Sequence, residues 1–125
     1  MLLKIVLLAA AGALGTLSRY GLSGLVQRLA GPYFPWGTLA VNVIGCFLAG
    51  MLWALFRHRL PVTPETRTVI LVGFMGAFTT FSAYILETGE LMRAHEWAYA
   101  MAYFSLQNGV GIAALLVGMA AGRLA

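Results

Sequence analysis

Four long apolar stretches, each able to cross a bilayer, fill almost all of this 125-residue chain. A transmembrane helix needs roughly 20 mostly apolar residues, and such stretches cover about residues 3–29, 36–56, 66–92 and 97–122. Only 10% of the residues are charged, whereas soluble domains carry about 25%. The sequence therefore predicts one all-α integral membrane domain with four spans.

Short polar or aromatic segments separate the predicted spans. Gly31 to Trp36 forms a turn with aromatics suited to a membrane interface. Thr63 is a plausible N-cap for the third span, with Pro64 at its first helical position. An even number of spans places both termini on one side, and the slight excess of Lys and Arg on that side favours cytoplasmic termini only weakly. The weak bias allows insertion in both orientations.

The composition also excludes several classes of function. The net charge of +4 comes from scattered basic residues, so it does not indicate nucleic-acid binding. The single Cys46 cannot form an intrachain disulfide. No nucleophile–base pair or metal-ligand cluster is visible, so the chain is not expected to be an enzyme.

The third span is the most unusual, because residues 73–87 read GFMGAFTTFSAYILE. Gly73 and Gly76 weaken a helix, and Thr79 and Thr80 carry hydroxyls that compete for backbone hydrogen bonds. We predict a broken helix near Gly76 to Thr80. Backbone at membrane depth is left without helical partners only where it is buried in protein or lines a cavity, and free carbonyls suit a hard cation such as Na⁺.

Aromatic residues follow this break. Phe81 and Tyr84 are three residues apart and share a helix face, which Phe78 would extend. Aromatic ring edges are electropositive and could face a small anion, although ordinary packing explains the spacing equally well. Glu87 follows Tyr84 by three residues, and it could bond to a neighbouring helix or carry protons.

Polar residues in the other spans each allow two interpretations. Arg19 could snorkel to the interface or attract an anion into a vestibule. Asn42 could bond across helices or donate its NH₂ group to an anion. Tyr103 and Gln107, with Asn108 beside them, could continue a polar track or form core hydrogen bonds. The Gly118–Gly122 pair predicts close helix packing, much of which could lie between subunits of an oligomer, most simply a dimer.

Taken together, the chain resembles the small bacterial fluoride channels of the Fluc/CrcB family. The resemblance covers essentially the whole length, and it depends on GTLSRY at 15–20, GTLAVN at 37–42 and, most specifically, on residues 73–87. It implies an antiparallel, dual-topology homodimer in the inner membrane with two pores for passive export of F⁻. It also implies a structural Na⁺ at the dimer interface, held by the backbone carbonyls of Gly76 and Thr79.

The resemblance assigns roles to further residues. Phe81 and Tyr84 fall at the positions of the two pore phenylalanines of the family, Asn42 at the pore asparagine and Arg19 at the vestibule arginine. The remaining implied pore or polar positions are Thr80, Ser82, Tyr103, Gln107 and Glu87.

Two departures from the family pattern stand in the third span. Tyr84 replaces a phenylalanine, so its hydroxyl could bond to fluoride or to Glu87. Ala77 replaces a glycine, which should matter little if Gly76 makes the turn.

Two other functions compete with a channel. A small proton-coupled multidrug exporter also has four spans, but it needs a carboxylate in its substrate path, typically in the first span. Here Glu87 is the only acid well inside a span. A non-transporting membrane subunit would not require the arginine, asparagine, broken helix and aromatics together.

Overall fold

The computed structural model describes all 125 residues, and its four spans are built from helices. The elements are α1 (Leu2–Ala30), α2 (Trp36–His58), α3 (Pro64–Thr68), a π-helix (Val69–Met75), α4 (Gly76–Phe78), α5 (Phe81–Arg93) and α6 (Trp97–Leu124). Four helical stretches are long and apolar enough to cross a membrane, with residues 64–93 forming the third. The predicted all-α architecture with four spans is confirmed.

The third span starts at a capped end. The Thr63 hydroxyl accepts a hydrogen bond from the Thr66 amide at 3.2 Å, and Pro64 occupies the first helical position. The cap satisfies one of the amides that have no partner within the first turn of a helix. The predicted N-cap is confirmed.

Helices α2 and α6 pack closely along their length through glycines, and we call this contact the seam. A Cβ atom added at Gly118 would overlap the Phe47 carbonyl of α2, and one added at Gly50 would overlap the Leu115 carbonyl of α6. Gly122 meets the Met51 carbonyl in the same way. The Gly118–Gly122 pair therefore brings two backbones of one chain together, rather than packing between subunits.

Helix α1 covers the first half of the third span, and it packs chiefly against the π-helix, α2 and α4. Gly15 of α1 lies against the Phe74 carbonyl, where a Cβ would overlap. A π-helix widens the backbone by one residue per turn and is common near functional sites. The first half of the third span is thus partly a π-helix, and this π-helix packs against α1.

The third span is bent, and its helix is interrupted at Thr79 and Thr80. Both residues have extended backbones, with φ and ψ of −91° and 157° for Thr79 and −147° and 118° for Thr80. Gly76 has ordinary helical angles of −63° and −31°. The break predicted near Gly76 to Thr80 therefore lies at the threonine end of that range, and Gly76 itself stays helical.

Candidate functional site

Asn42 of α2 holds the interruption in place through its side-chain amide. Its Oδ1 accepts from the Thr80 amide at 2.8 Å, and its Nδ2 donates to the Thr80 carbonyl at 2.9 Å. These bonds satisfy both backbone groups of a residue that lies outside the helix, at a depth where water is scarce. Asn42 therefore replaces the helical bonds that Thr80 lacks.

The same amide also orients Gln107 of α6. The Thr80 amide requires an acceptor, so it fixes which atom of Asn42 is Oδ1. The second N–H of Asn42 then donates to Gln107 Oε1 at 3.1 Å. The other end of this buried side chain, Nε2, has no partner in the protein. Both N–H groups of Asn42 are thus committed, and the free amide donor lies on Gln107.

Thr80 also caps the helix that begins after the interruption. Its hydroxyl accepts from the Ala83 amide at 3.2 Å and lies 3.5 Å from the Ser82 hydroxyl. Helix α5 therefore starts at membrane depth with a threonine cap, and its positive dipole end faces the interruption.

Two carbonyls near the interruption lack the amides that a continuous helix would give them. The amide four residues after Gly76 belongs to Thr80, and it donates to Asn42. The amide four residues after Thr79 belongs to Ala83, and it donates to the Thr80 hydroxyl. Carbonyl oxygens are the ligands that hard cations prefer, so the donor set fits Na⁺.

Arg19 of α1 reaches toward the interruption and not toward the membrane surface. It is half-buried, and its Nε donates to the Ala77 carbonyl at 2.9 Å. A charge-assisted bond is stronger than a bond between neutral groups, so it ties α1 to the third span next to Thr79. Of the two interpretations of Arg19, the structure shows a hydrogen bond to the third span and not a side chain that snorkels to the interface.

The aromatics after the interruption differ in their surroundings. Phe81 is 74% exposed, whereas Tyr84 is 5% exposed. Their rings meet edge-to-face with centroids 5.7 Å apart, and Tyr84 meets Tyr103 in the same way at 5.3 Å. Phe78 instead stacks on Phe74 in a separate core cluster, so it does not extend the stripe as expected.

Glu87 is held by two hydroxyl groups. Thr38 donates to its Oε1 at 2.7 Å, and Tyr103 donates to its Oε2 at 2.5 Å. The Tyr84 hydroxyl does not bond to Glu87, but accepts from Asn108 Nδ2 at 3.2 Å. Sequence reasoning missed Thr38, although its place four residues before Asn42 on α2 puts both on one helix face.

An open cavity of about 410 Å³ lies beside these groups. Its lining brings together several predicted site residues: Asn42, Gly76, Thr79, Thr80, Phe81, Tyr84 and Gln107. Asn108, which the sequence showed only as a neighbour of Gln107, also lines it. Arg19, Ser82, Tyr103 and Glu87 do not line it.

Comparison with known proteins places the chain in a family. The CrcB-like protein family (Camphor Resistance, CrcB) matches residues 6–119. A fluoride-specific ion channel FluC from Desulforapulum autotrophicum is 58% identical over 121 residues, which cover 97% of each chain. Channels of the same name from Nitrosococcus oceani and Solidesulfovibrio magneticus are 52% and 50% identical, over 92% and 99% of each chain. The chain belongs to the CrcB-like protein family.

Proposed function

We propose that this protein is a fluoride-specific ion channel, a multi-pass protein of the inner membrane that lets F⁻ leave the cytoplasm passively. It is a channel and not an enzyme. The observation that carries the proposal is the interruption at Thr79 and Thr80, which lies at membrane depth beside an open cavity that side-chain amides and hydroxyls help to line. Irregular backbone within the membrane is tolerated where it is buried in protein or lines a cavity. Relatives at up to 58% identity bear the name of fluoride channels.

The cavity offers the groups that a small anion needs. Fluoride holds its water strongly, so a pore must replace that water with hydrogen-bond donors and positive ring edges. Gln107 Nε2 is a buried donor without a partner, and Phe81 presents a largely exposed ring. Asn42 contributes indirectly. It bonds to the Thr80 backbone and to Gln107 Oε1, which leaves Gln107 Nε2 on the side away from Asn42.

A second copy of the chain would complete the path. Gly76, Phe81 and Asn108 are exposed on the single chain, and a polar amide at membrane depth is costly against lipid. An antiparallel, dual-topology homodimer would cover these groups and form two pores. The mass of the protein in detergent, after subtraction of bound detergent, tests this. We expect the mass of two chains, and a monomer that still conducts fluoride would contradict the dimer.

A structural Na⁺ at the dimer interface fits the carbonyls of Gly76 and Thr79, which lack their helical amides. Bound Na⁺ would hold the two interrupted spans together without being transported. Replacing Na⁺ with a large organic cation on both sides of the membrane should abolish fluoride flux. Full flux without Na⁺ or any ion of similar size would remove this site from the account.

Efflux from liposomes that hold the purified protein tests the proposed function. Fluoride should leave the vesicles while chloride stays inside, since the pore replaces the water of a small anion only. The control is empty liposomes from the same lipid. No fluoride efflux above that control, or equal efflux of chloride, would overturn the channel proposal.

A further inference from the structure

The hydroxyl of Tyr84 is the feature of the cavity that the proposed function leaves unexplained. Tyr84 is 5% exposed and its ring packs against Phe81 and Tyr103. A phenol can both donate and accept a hydrogen bond. Which of these it offers to an anion decides whether it helps or hinders passage, because an anion can only accept.

Asn108 of α6 settles this direction. Its Nδ2 donates to the carbonyl of Phe104, one helical turn earlier, at 2.9 Å. A carbonyl can only accept, so this bond fixes which end of the Asn108 amide carries the hydrogens. The remaining N–H of Nδ2 points to the Tyr84 oxygen, which lies at 3.2 Å.

The Tyr84 oxygen is therefore an acceptor toward Asn108. Its own hydrogen is not needed for that bond and has no acceptor among the protein hydrogen bonds at this site. Tyr84, Asn108 and Gln107 line the same cavity. The O–H of Tyr84 and the buried Nε2 of Gln107 thus belong to two residues that line one cavity, and each is fixed by an amide on its other side.

We infer that Asn108 is a positioning residue, which directs the Tyr84 hydroxyl to donate its hydrogen to the permeating anion. This rests on the proposed function and deepens it. The ligand class is a small, strongly basic anion such as fluoride, because phenol and amide N–H donors together favour the anion that accepts hydrogen bonds most strongly. Without Asn108, the hydroxyl can turn its lone pairs toward the anion and repel it.

A double-mutant cycle tests the inference through fluoride efflux from liposomes. Asn108→Leu should lower the flux about tenfold, the change that corresponds to one well-placed hydrogen bond. Tyr84→Phe should lower it at least as much, because the donor is gone. In the Tyr84→Phe background, Asn108→Leu should have almost no further effect, since there is no hydroxyl left to direct.

The control background is Tyr99→Phe, which removes a tyrosine hydroxyl that does not contact Asn108. There, Asn108→Leu should keep its full effect. Asn108→Ala repeats the cycle in case a leucine disturbs the fold. An equal loss of flux in the parent and Tyr84→Phe backgrounds, or no loss in either, would overturn the inference. Absence of fluoride flux in the parent protein would instead overturn the proposed function itself.

Discussion

The seam between α2 and α6 and the interruption of the third span use opposite means to place backbones within a membrane. At the seam, two continuous helices satisfy their own hydrogen bonds, and glycines allow Gly118 to lie directly against the Phe47 carbonyl. At the interruption, Thr79 and Thr80 leave the helix. The Asn42 amide bonds to the amide and carbonyl of Thr80, and the Thr80 hydroxyl accepts from the Ala83 amide.

This difference suggests separate roles: the seam stabilises the fold, and the interruption serves conduction. Close glycine contacts leave no space between α2 and α6, so this pair forms a rigid frame. The frame carries Asn42 and Gln107 on its two helices and holds their amides in register. The interruption can remain irregular because Asn42 on this frame satisfies the backbone groups of Thr80. We therefore expect changes at the seam to destroy the fold, and changes at the interruption to stop conduction while the fold survives.

The largest effect is expected at the seam, from Gly118→Ala. The added Cβ would overlap backbone atoms of Phe47 and Met51, which cannot move aside as a flexible side chain could. Overpacking typically costs about 1–3 kcal/mol and occasionally more, and here two helices must separate. We expect the folded protein recovered by size-exclusion chromatography to fall to a small fraction of the parent.

Gly109→Ala is the matched control for this change. Gly109 lies on the same helix, and nothing lies within 4 Å of a Cβ added there. Alanine favours a helix by about 1 kcal/mol over glycine, so this variant should be recovered at the level of the parent or above. Equal recovery of the two variants would show that the seam is not tightly packed.

A smaller and different effect is expected at the interruption, from Phe81→Ile. Phe81 is 74% exposed on the single chain, so its replacement removes little packing within the subunit. This change removes the ring edge that we propose to face the anion, so fluoride flux should fall by at least about tenfold, which corresponds to roughly 1.4 kcal/mol. Size-exclusion chromatography should show the parent profile, and efflux from liposomes measures the loss.

Phe104→Ile is the control, because Phe104 is also largely exposed but does not line the cavity. It should conduct as the parent does. Parent-like flux in Phe81→Ile would remove this ring from the pore, and a matching loss in both variants would point to a general effect of aromatic residues on the membrane surface.

The sequence predicted the four helices better than it predicted the contacts of the candidate site. Four apolar stretches are enough to predict four helices, because length and hydropathy alone decide whether a segment crosses a bilayer. The glycines and threonines of residues 73–87 also correctly predicted a break in the helix of the third span. The sequence could not show that Thr79 and Thr80 leave the helix instead of Gly76, since that depends on the Asn42 amide reaching across from α2.

Contacts between spans were likewise beyond the sequence. Asn42 and Gln107 are 65 residues apart, and no periodicity shows that their amides meet. Thr38 was missed for the same reason, and the bond from Asn108 to Tyr84 was not predicted, since each residue depends on a partner on another helix. Sequence reasoning allowed Tyr84 to bond to Glu87, whereas the fold gives that carboxylate to Thr38 and Tyr103.

The smallest effect is expected at Tyr103 of α6, which bonds to Glu87 of α5. Its side chain is fully buried and its hydroxyl donates to Glu87. Tyr103→Phe removes one of the two hydroxyls that hold this carboxylate while Thr38 still donates to it, so the cost should be about 0.5–1.5 kcal/mol. Thermal unfolding in detergent should show a lower midpoint, while Tyr99→Phe should leave it unchanged. Equal midpoints in the two variants would show that the bond contributes nothing to stability.

The most direct test of the account is fluoride efflux through Asn42→Asp, compared with the parent at equal amounts of folded protein. A carboxylate can still accept from the Thr80 amide, but it cannot donate to the Thr80 carbonyl or to Gln107. We predict that this variant folds as the parent does and loses most of its fluoride flux. Parent-like flux through folded Asn42→Asp would contradict the claim that this amide builds the pore.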